Sequence, residues 1–258
     1  MLVRRKRLLV VLVFTQVGGL ALMVVVWAIA QPETPPPGRI VYGALAGVAG
    51  IVGLVAFYRG LAVGAMGVVA PITSTAVLIP LAVGLARGER PSMLQAVGIG
   101  VALAGVIGAS YEAAAHGERA RVAVGTGLAL VAAASFGFAL LGLSAAAKGG
   151  AIWASLSLRG AETPLVVAAA LLVRVRGERL AARGWPAFAA VGAGDAGATI
   201  LYSAATTRGL LSVVAVLASL YPAIVVVLAR VFLHERLHAV QRIGAATALA
   251  GVALISAG

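Results

Sequence analysis

The chain has 258 residues, 62% of them apolar and 11% charged, with a formal net charge of +12 and no cysteine. So few polar side chains cannot clothe a soluble domain, and the lack of cysteine excludes a disulfide framework, a thiolate nucleophile and a cysteine metal site. Nor does the basic excess point to nucleic acid, because most Lys and Arg residues stand in polar breaks between apolar runs, where they meet anionic headgroups and set orientation.

About 20 apolar residues suffice for a helix to cross hydrocarbon some 30 Å thick. The first such run, 8–30, follows Arg4-Arg5-Lys6-Arg7; it is long for a leader and ends on a weak cleavage sequence, Ala30-Gln31-Pro32, so it reads as a retained span. The proline-rich segment 31–38 cannot continue a helix, and spans at 39–58 and 65–86 follow it. Arg87-Gly-Glu-Arg-Pro91 stops one helix and starts the next, 93–111. Beyond the polar stretch Tyr111 to Arg121 come spans at 123–146 and 152–173, and beyond Arg174 to Gly184 come 186–206, 212–233 and 239–257. These runs lack the alternation of barrel strands, and lipid demands internally satisfied backbone, so the expected fold is all-α: a polytopic membrane protein of about nine transmembrane helices. Gly43, Gly47, Gly50 and Gly53 in the second span, and Ala193 and Gly197 in the seventh, have the small-residue spacing that lets helices approach closely.

The chain is also self-similar. Gly50-Ile-Val-Gly-Leu-Val-Ala-Phe-Tyr58 aligns without gaps on Gly194-Asp-Ala-Gly-Ala-Thr-Ile-Leu-Tyr202. Gly88-Glu-Arg-Pro-Ser-Met-Leu-Gln95 aligns on His234-Glu-Arg-Leu-His-Ala-Val-Gln241, and each runs into a closing Gly-rich helix. The two copies cover 1–111, with four helices, and 123–258, with five, the helix at 123–146 having no counterpart at the front. Corresponding helices lie five spans apart, an odd number, so the copies are expected to insert in opposite senses, the inverted-repeat pattern of secondary transporters.

The ordered pattern Tyr58…Val69-Ala-Pro71…Pro80…Gly88-Glu-Arg-Pro91…Gln95…Gly98, with its second copy Tyr202…Pro222…Glu235-Arg236…Gln241…Gly244, resembles the EamA repeat of the drug/metabolite transporter superfamily over nearly the whole chain. The resemblance implies ten helices in two inverted five-helix repeats around a central cavity, transport of amino-acid-like or drug-like solutes across the cytoplasmic (inner) membrane by alternating access, no enzymatic activity and no cofactor. Relative to that pattern this sequence lacks the first helix of the first repeat. The rival expectation from another class is a non-transporting membrane component or a truncated remnant of a transporter. The expected partners are a small-molecule solute and membrane lipid, with a homodimer as an open alternative.

Charge gives a separate reading of orientation. Alternate sides carry twelve and five Lys and Arg residues, which favours a cytoplasmic N-terminus, whereas the resemblance implies that the first helix present here starts outside.

Polar groups inside the spans are the candidate substrate-binding residues. A carboxylate at mid-bilayer costs about 2.5–3.5 kcal/mol on insertion scales, so Asp195 is expected to face a cavity or a partner, as a site for a substrate amine, a proton-coupling group or a structural acceptor for neighbouring donors. Its counterpart in the first copy is Ile51, so the repeat itself does not require the acid. Arg159 and Glu162, three apart on one helix, can pair, either as a structural ion pair or as cavity lining; they align with Gln16 and Gly19. Gln16, Tyr58 and Tyr202 complete the candidate set, although aromatics near helix ends more often anchor the interface. Glu89 and Glu235, equivalent in the two copies, read as fold-defining groups that cap a helix or pair with Arg90 and Arg236.

His234-Glu-Arg-Leu-His238 matches the helical zinc-protease motif, but the repeat already accounts for Glu235 and the motif falls at a helix break, so no metal is expected. A phosphate-binding loop is absent too, which leaves a gradient or the solute itself as the energy source for transport.

Overall fold

In hydrocarbon the backbone must bond to itself, and these apolar runs do so as helices. The computed structural model describes residues 2–63, 66–110, 119–172, 179–220 and 239–258. Its helices are α1 (Leu2–Ala30), α2 (Pro37–Val63), α3 (Met66–Ser74), α4 (Leu78–Ala86), α5 (Met93–Ser110), α6 (Arg119–Ala147), α7 (Ala151–Leu172), α8 (Arg179–Thr206), α9 (Leu211–Ala218) and α10 (Ala239–Ala257). A 3₁₀ turn, Thr75–Val77, joins α3 to α4, so the described residues form nine helical segments. Among them α2, α6, α7 and residues 11–30 of α1 are long and apolar enough to cross a membrane, and shorter apolar helices occupy 72–86, 93–108 and 242–255.

Two boundaries differ from the sequence expectation. The run 65–86 is broken: Pro80 has no N–H to offer Ala76, and Thr73, Ser74 and Thr75 turn their hydroxyls onto the carbonyls of Val69, Ala70 and Ile72, which favours a tightened turn. By contrast α8 runs through Pro186 and starts at Arg179, seven residues before the expected 186, so Asp195 is its seventeenth residue. Pro164 likewise leaves α7 continuous.

The chain divides into two compact units. The first comprises residues 1–51 and 141–208, the second 52–140 and 209–258, so each unit draws helices from both sequence copies.

In the first unit α1 packs on α7 and α8. Glycines set the spacing: a Cβ on Gly18 would stand 2.6 Å from Ala189 Cα, and one on Gly19 would stand 2.9 Å from Gly192 O. Gly43, Gly47 and Gly50 press the start of α2 against Ser157, Leu158 and Glu162 of α7 in the same way. Arg39 Nη1 donates to Ala145 O at 2.9 Å, satisfying an end carbonyl of α6.

In the second unit the two Gly-rich closing helices, α5 and α10, pair along their length. Gly98 meets Ile255, Ala102 meets Gly251 and Gly105 meets Ala248; partner numbers fall along α10 as they rise along α5, so the helices are antiparallel. Gly105 with Ala248 and Gly251 with Ala102 are one contact made twice by equivalent residues, the reciprocity that two-fold symmetry produces. Ile99, Ala102, Val106, Ala245, Ala248 and Ile255 form the core of this pair, with Val77, Ala215, Val216 and Leu220 against it.

The turn after α4 explains the recurring Gly-Glu. Gly88 takes φ +87°, a left-handed value suited to glycine, while Glu89 N bonds back to Gly84 O at 3.1 Å, closing the helix end. Glu89 is thereby aimed at the start of α9, where its two oxygens accept the N–H groups of Leu211 (2.8 Å) and Ser212 (2.9 Å). It caps a helix and does not pair with Arg90: a carboxylate on unsatisfied N–H groups at the positive end of a helix dipole is the better-placed charge. Gln95 is accounted for too, since Ser92 and Gln95 form a reciprocal capping box at the start of α5. Glu235, Arg236, Gln241's side chain and both histidines of the His-Glu motif lie outside the described residues.

Candidate functional site

Four of the six candidate residues meet in the first unit. Arg159, on α7, is 3% exposed and stands at the centre. Its Nη1 donates to Gln16 Oε1 of α1 at 2.6 Å and to Glu162 Oε2 at 3.1 Å, and its Nη2 donates to Asp195 Oδ2 of α8. Gln16 Nε2 in turn donates to Glu162 Oε2 at 3.3 Å, closing a triangle. Thr163 Oγ1 adds a bond to Gln16 O at 3.4 Å, which ties α7 to α1 beside the cluster.

Small residues make this approach possible. A Cβ on Gly50 would stand 2.8 Å from Glu162 Oε1, and one on Gly47 would stand 3.2 Å from Glu162 Cγ. The glycine stripe of α2 therefore houses the carboxylate as well as packing the helix. Gln16 and Arg159, which align between the two sequence copies, bond directly to one another.

Exposure separates the two acids. The Glu162 side chain is 12% exposed, whereas that of Asp195 is 62% exposed. Glu162 is locked into the bundle by Arg159, Gln16 and Gly50. Asp195 has Arg159 as its one partner among the described residues and turns its carboxylate outward from the unit. Three buried polar atoms of this unit, Ser155 Oγ, Arg159 Nε and Ser203 Oγ, have no hydrogen-bond partner among the described residues.

Tyr202 is buried seven residues beyond Asp195 on α8 and is not a partner of Arg159. Tyr58 belongs to the other unit, where its ring lies tilted against Phe57 with centroids 5.7 Å apart. Trp153 Nε1 donates to Pro32 O at 3.4 Å and its ring meets Trp27 edge-on, anchoring the start of α7 to the end of α1. Sequence reasoning missed Thr163, Ser155 and the housing role of Gly50. Ser155 was detectable as the residue one turn before Arg159 on the same helix face, and Gly50 by its place in the glycine stripe.

A bundle of apolar helices, several of them long enough to cross a membrane, with charges buried between them, has the make-up of a polytopic membrane protein. The EamA-like transporter family model matches residues 3–111 and again 123–257, so the chain belongs to that family, which is one of transporters and not of enzymes. No curated protein sequence matches the chain. A solved structure titled only "Crystal structure of protein" is similar in fold, with a TM-score of 0.75 at 17% identity over 96% of this chain and 88% of the other.

Proposed function

We propose that this protein carries small metabolites, amino-acid-like or drug-like, across the cytoplasmic membrane as a secondary transporter working by alternating access. The observation that carries this reading is the Gln16–Arg159–Glu162–Asp195 cluster: four polar side chains from three helices, bonded together in a chain of a transporter family. Charges within transmembrane segments are costly and mark solute or ion paths. The repeat halves are 1–111 and 123–258, with four and five helices, inserted in opposite senses. The antiparallel, reciprocal pairing of the equivalent helices α5 and α10 supports that inversion, which is the architecture that alternating access uses. Asp195, Arg159, Glu162 and Gln16 are the proposed solute-contacting or solute-positioning groups, with Tyr58 and Tyr202 secondary to them.

Purified protein in proteoliposomes, given a panel of cationic, zwitterionic, anionic and neutral metabolites, is expected to show saturable flux of at least one. Flux at the rate of empty vesicles for the whole panel removes the transport reading, and wild-type flux in Asp195→Asn removes the site.

A further inference from the structure

The cluster sets two carboxylates against one guanidinium, and the two kinds of charge are presented differently. Arg159 is enclosed, its side chain 4% exposed and both terminal nitrogens engaged. The outward charge is the Asp195 carboxylate, 62% exposed, with one oxygen on Arg159 and no partner for the other among the described residues. Lipid is a poor neighbour for such a group, because a carboxylate against acyl chains bears the full insertion cost. A positive ligand group is the complement that this surface lacks.

A second observation concerns the buried side of the cluster. Arg159 Nε and Ser155 Oγ, one turn apart on α7 and respectively in residues 3% and 0% exposed, are buried donors without a partner among the described residues. An unmet buried donor calls for an acceptor atom. A carboxylate offered there would crowd the carboxyl groups of Glu162 and Asp195, whereas a hydroxyl or carbonyl oxygen meets the need without adding charge.

Narrowing the transport reading on which it rests, we infer that the site takes solutes bearing a protonated amine next to a neutral oxygen, the ammonium on Asp195 and the oxygen toward Arg159 and Ser155. Arg159 is then a positioning residue, fixing Asp195 and not neutralising an anionic substrate. Amino alcohols and related amines fit this description better than amino acids, and simple carboxylates do not fit.

A matched two-carbon series tests this by equilibrium binding to the purified full chain in detergent: ethanolamine, with ammonium and hydroxyl; glycine, with ammonium and carboxylate; and glycolate, with hydroxyl and carboxylate. Phenylethylamine and phenylacetate repeat the charge comparison at larger size. The amines are expected to bind at least tenfold more tightly than the acids, with glycine between ethanolamine and glycolate. Asp195→Asn should weaken amine binding tenfold or more, and Asp195→Glu should retain it. Acid binding equal to or tighter than amine binding, or amine binding unchanged in folded Asp195→Asn, overturns the inference. If the solute panel shows saturable flux indifferent to an ammonium group, the inference falls while the transport reading stands; if no member shows saturable flux, both fall.

Discussion

Replacing Arg159 by methionine tests whether the cluster holds the first unit together. Methionine keeps the unbranched apolar stem and removes the guanidinium, so packing loss is small and the change is chiefly electrostatic. Three bonds vanish, to Gln16, Glu162 and Asp195. Glu162, 12% exposed, is left with only the 3.3 Å bond from Gln16, while Asp195, 62% exposed, retains access to its surroundings and loses less. Removing one member of a buried ion pair costs about 3–5 kcal/mol. The lower end, about 3 kcal/mol, applies here because helices of the unfolded protein stay inserted and find other polar partners. Neutralising the stranded acid as well, in Arg159→Met with Glu162→Gln, should recover most of that loss, since a buried pair replaced by neutral groups of similar volume is often close to neutral. Denaturation of the detergent-solubilised protein by sodium dodecyl sulfate, followed by circular dichroism and tryptophan fluorescence, measures both variants. A single variant within about 1 kcal/mol of wild type, against the magnitude expected for a buried pair, or a double variant no more stable than the single one, refutes the reasoning.

Equivalent glycines in the two copies give a sharp contrast: Gly50→Ala sets a methyl 2.8 Å from Glu162 Oε1 and should reduce solute flux, whereas at Gly194 the added carbon meets nothing within 4 Å and Ala should be tolerated; equal flux for the two would show that the glycine does not house the carboxylate. Along the α5–α10 seam, Gly105→Ala places a carbon 2.7 Å from Gly244 O and should destabilise by about 1–3 kcal/mol, while Gly100→Ala, with open space, should leave thermal unfolding unchanged. Glu89→Ala strips the cap from α9 and should cost about 1–2 kcal/mol, with Glu89→Gln intermediate because it keeps one acceptor; a neutral Ala variant contradicts the capping role. For orientation, the absence of native cysteine makes labelling clean: cysteines engineered at 174–184 should resist an impermeant maleimide added outside if the charge bias governs, and ready reaction reverses that assignment.

Hydropathy placed most of the described helices, because lipid permits few backbone forms and the length needed to cross it is fixed by helix geometry, but it missed the break at Thr75–Val77 and the early start of α8 at Arg179. Self-similarity identified the paired motifs, on which the family resemblance then rested, and the equivalence of Gln16 with Arg159, of Ile51 with Asp195 and of Glu89 with Glu235, since a repeat is a property of the string. Polarity within apolar runs picked out Asp195, Arg159 and Glu162, because a charge in hydrocarbon is rare unless something holds it. Which residues meet was a different matter. Gln16 lies 143 positions from Arg159, and its contact follows from glycines at 18, 19 and 192 that bring α1 onto α8 beside α7. The capping of α9 by Glu89, 122 residues away, needed the left-handed turn at Gly88 and the folded bundle together. Tertiary packing also decided that Glu162 is enclosed while Asp195 turns outward, although both are single acids within helices, because exposure is set by the neighbours a helix face acquires and local sequence does not specify them.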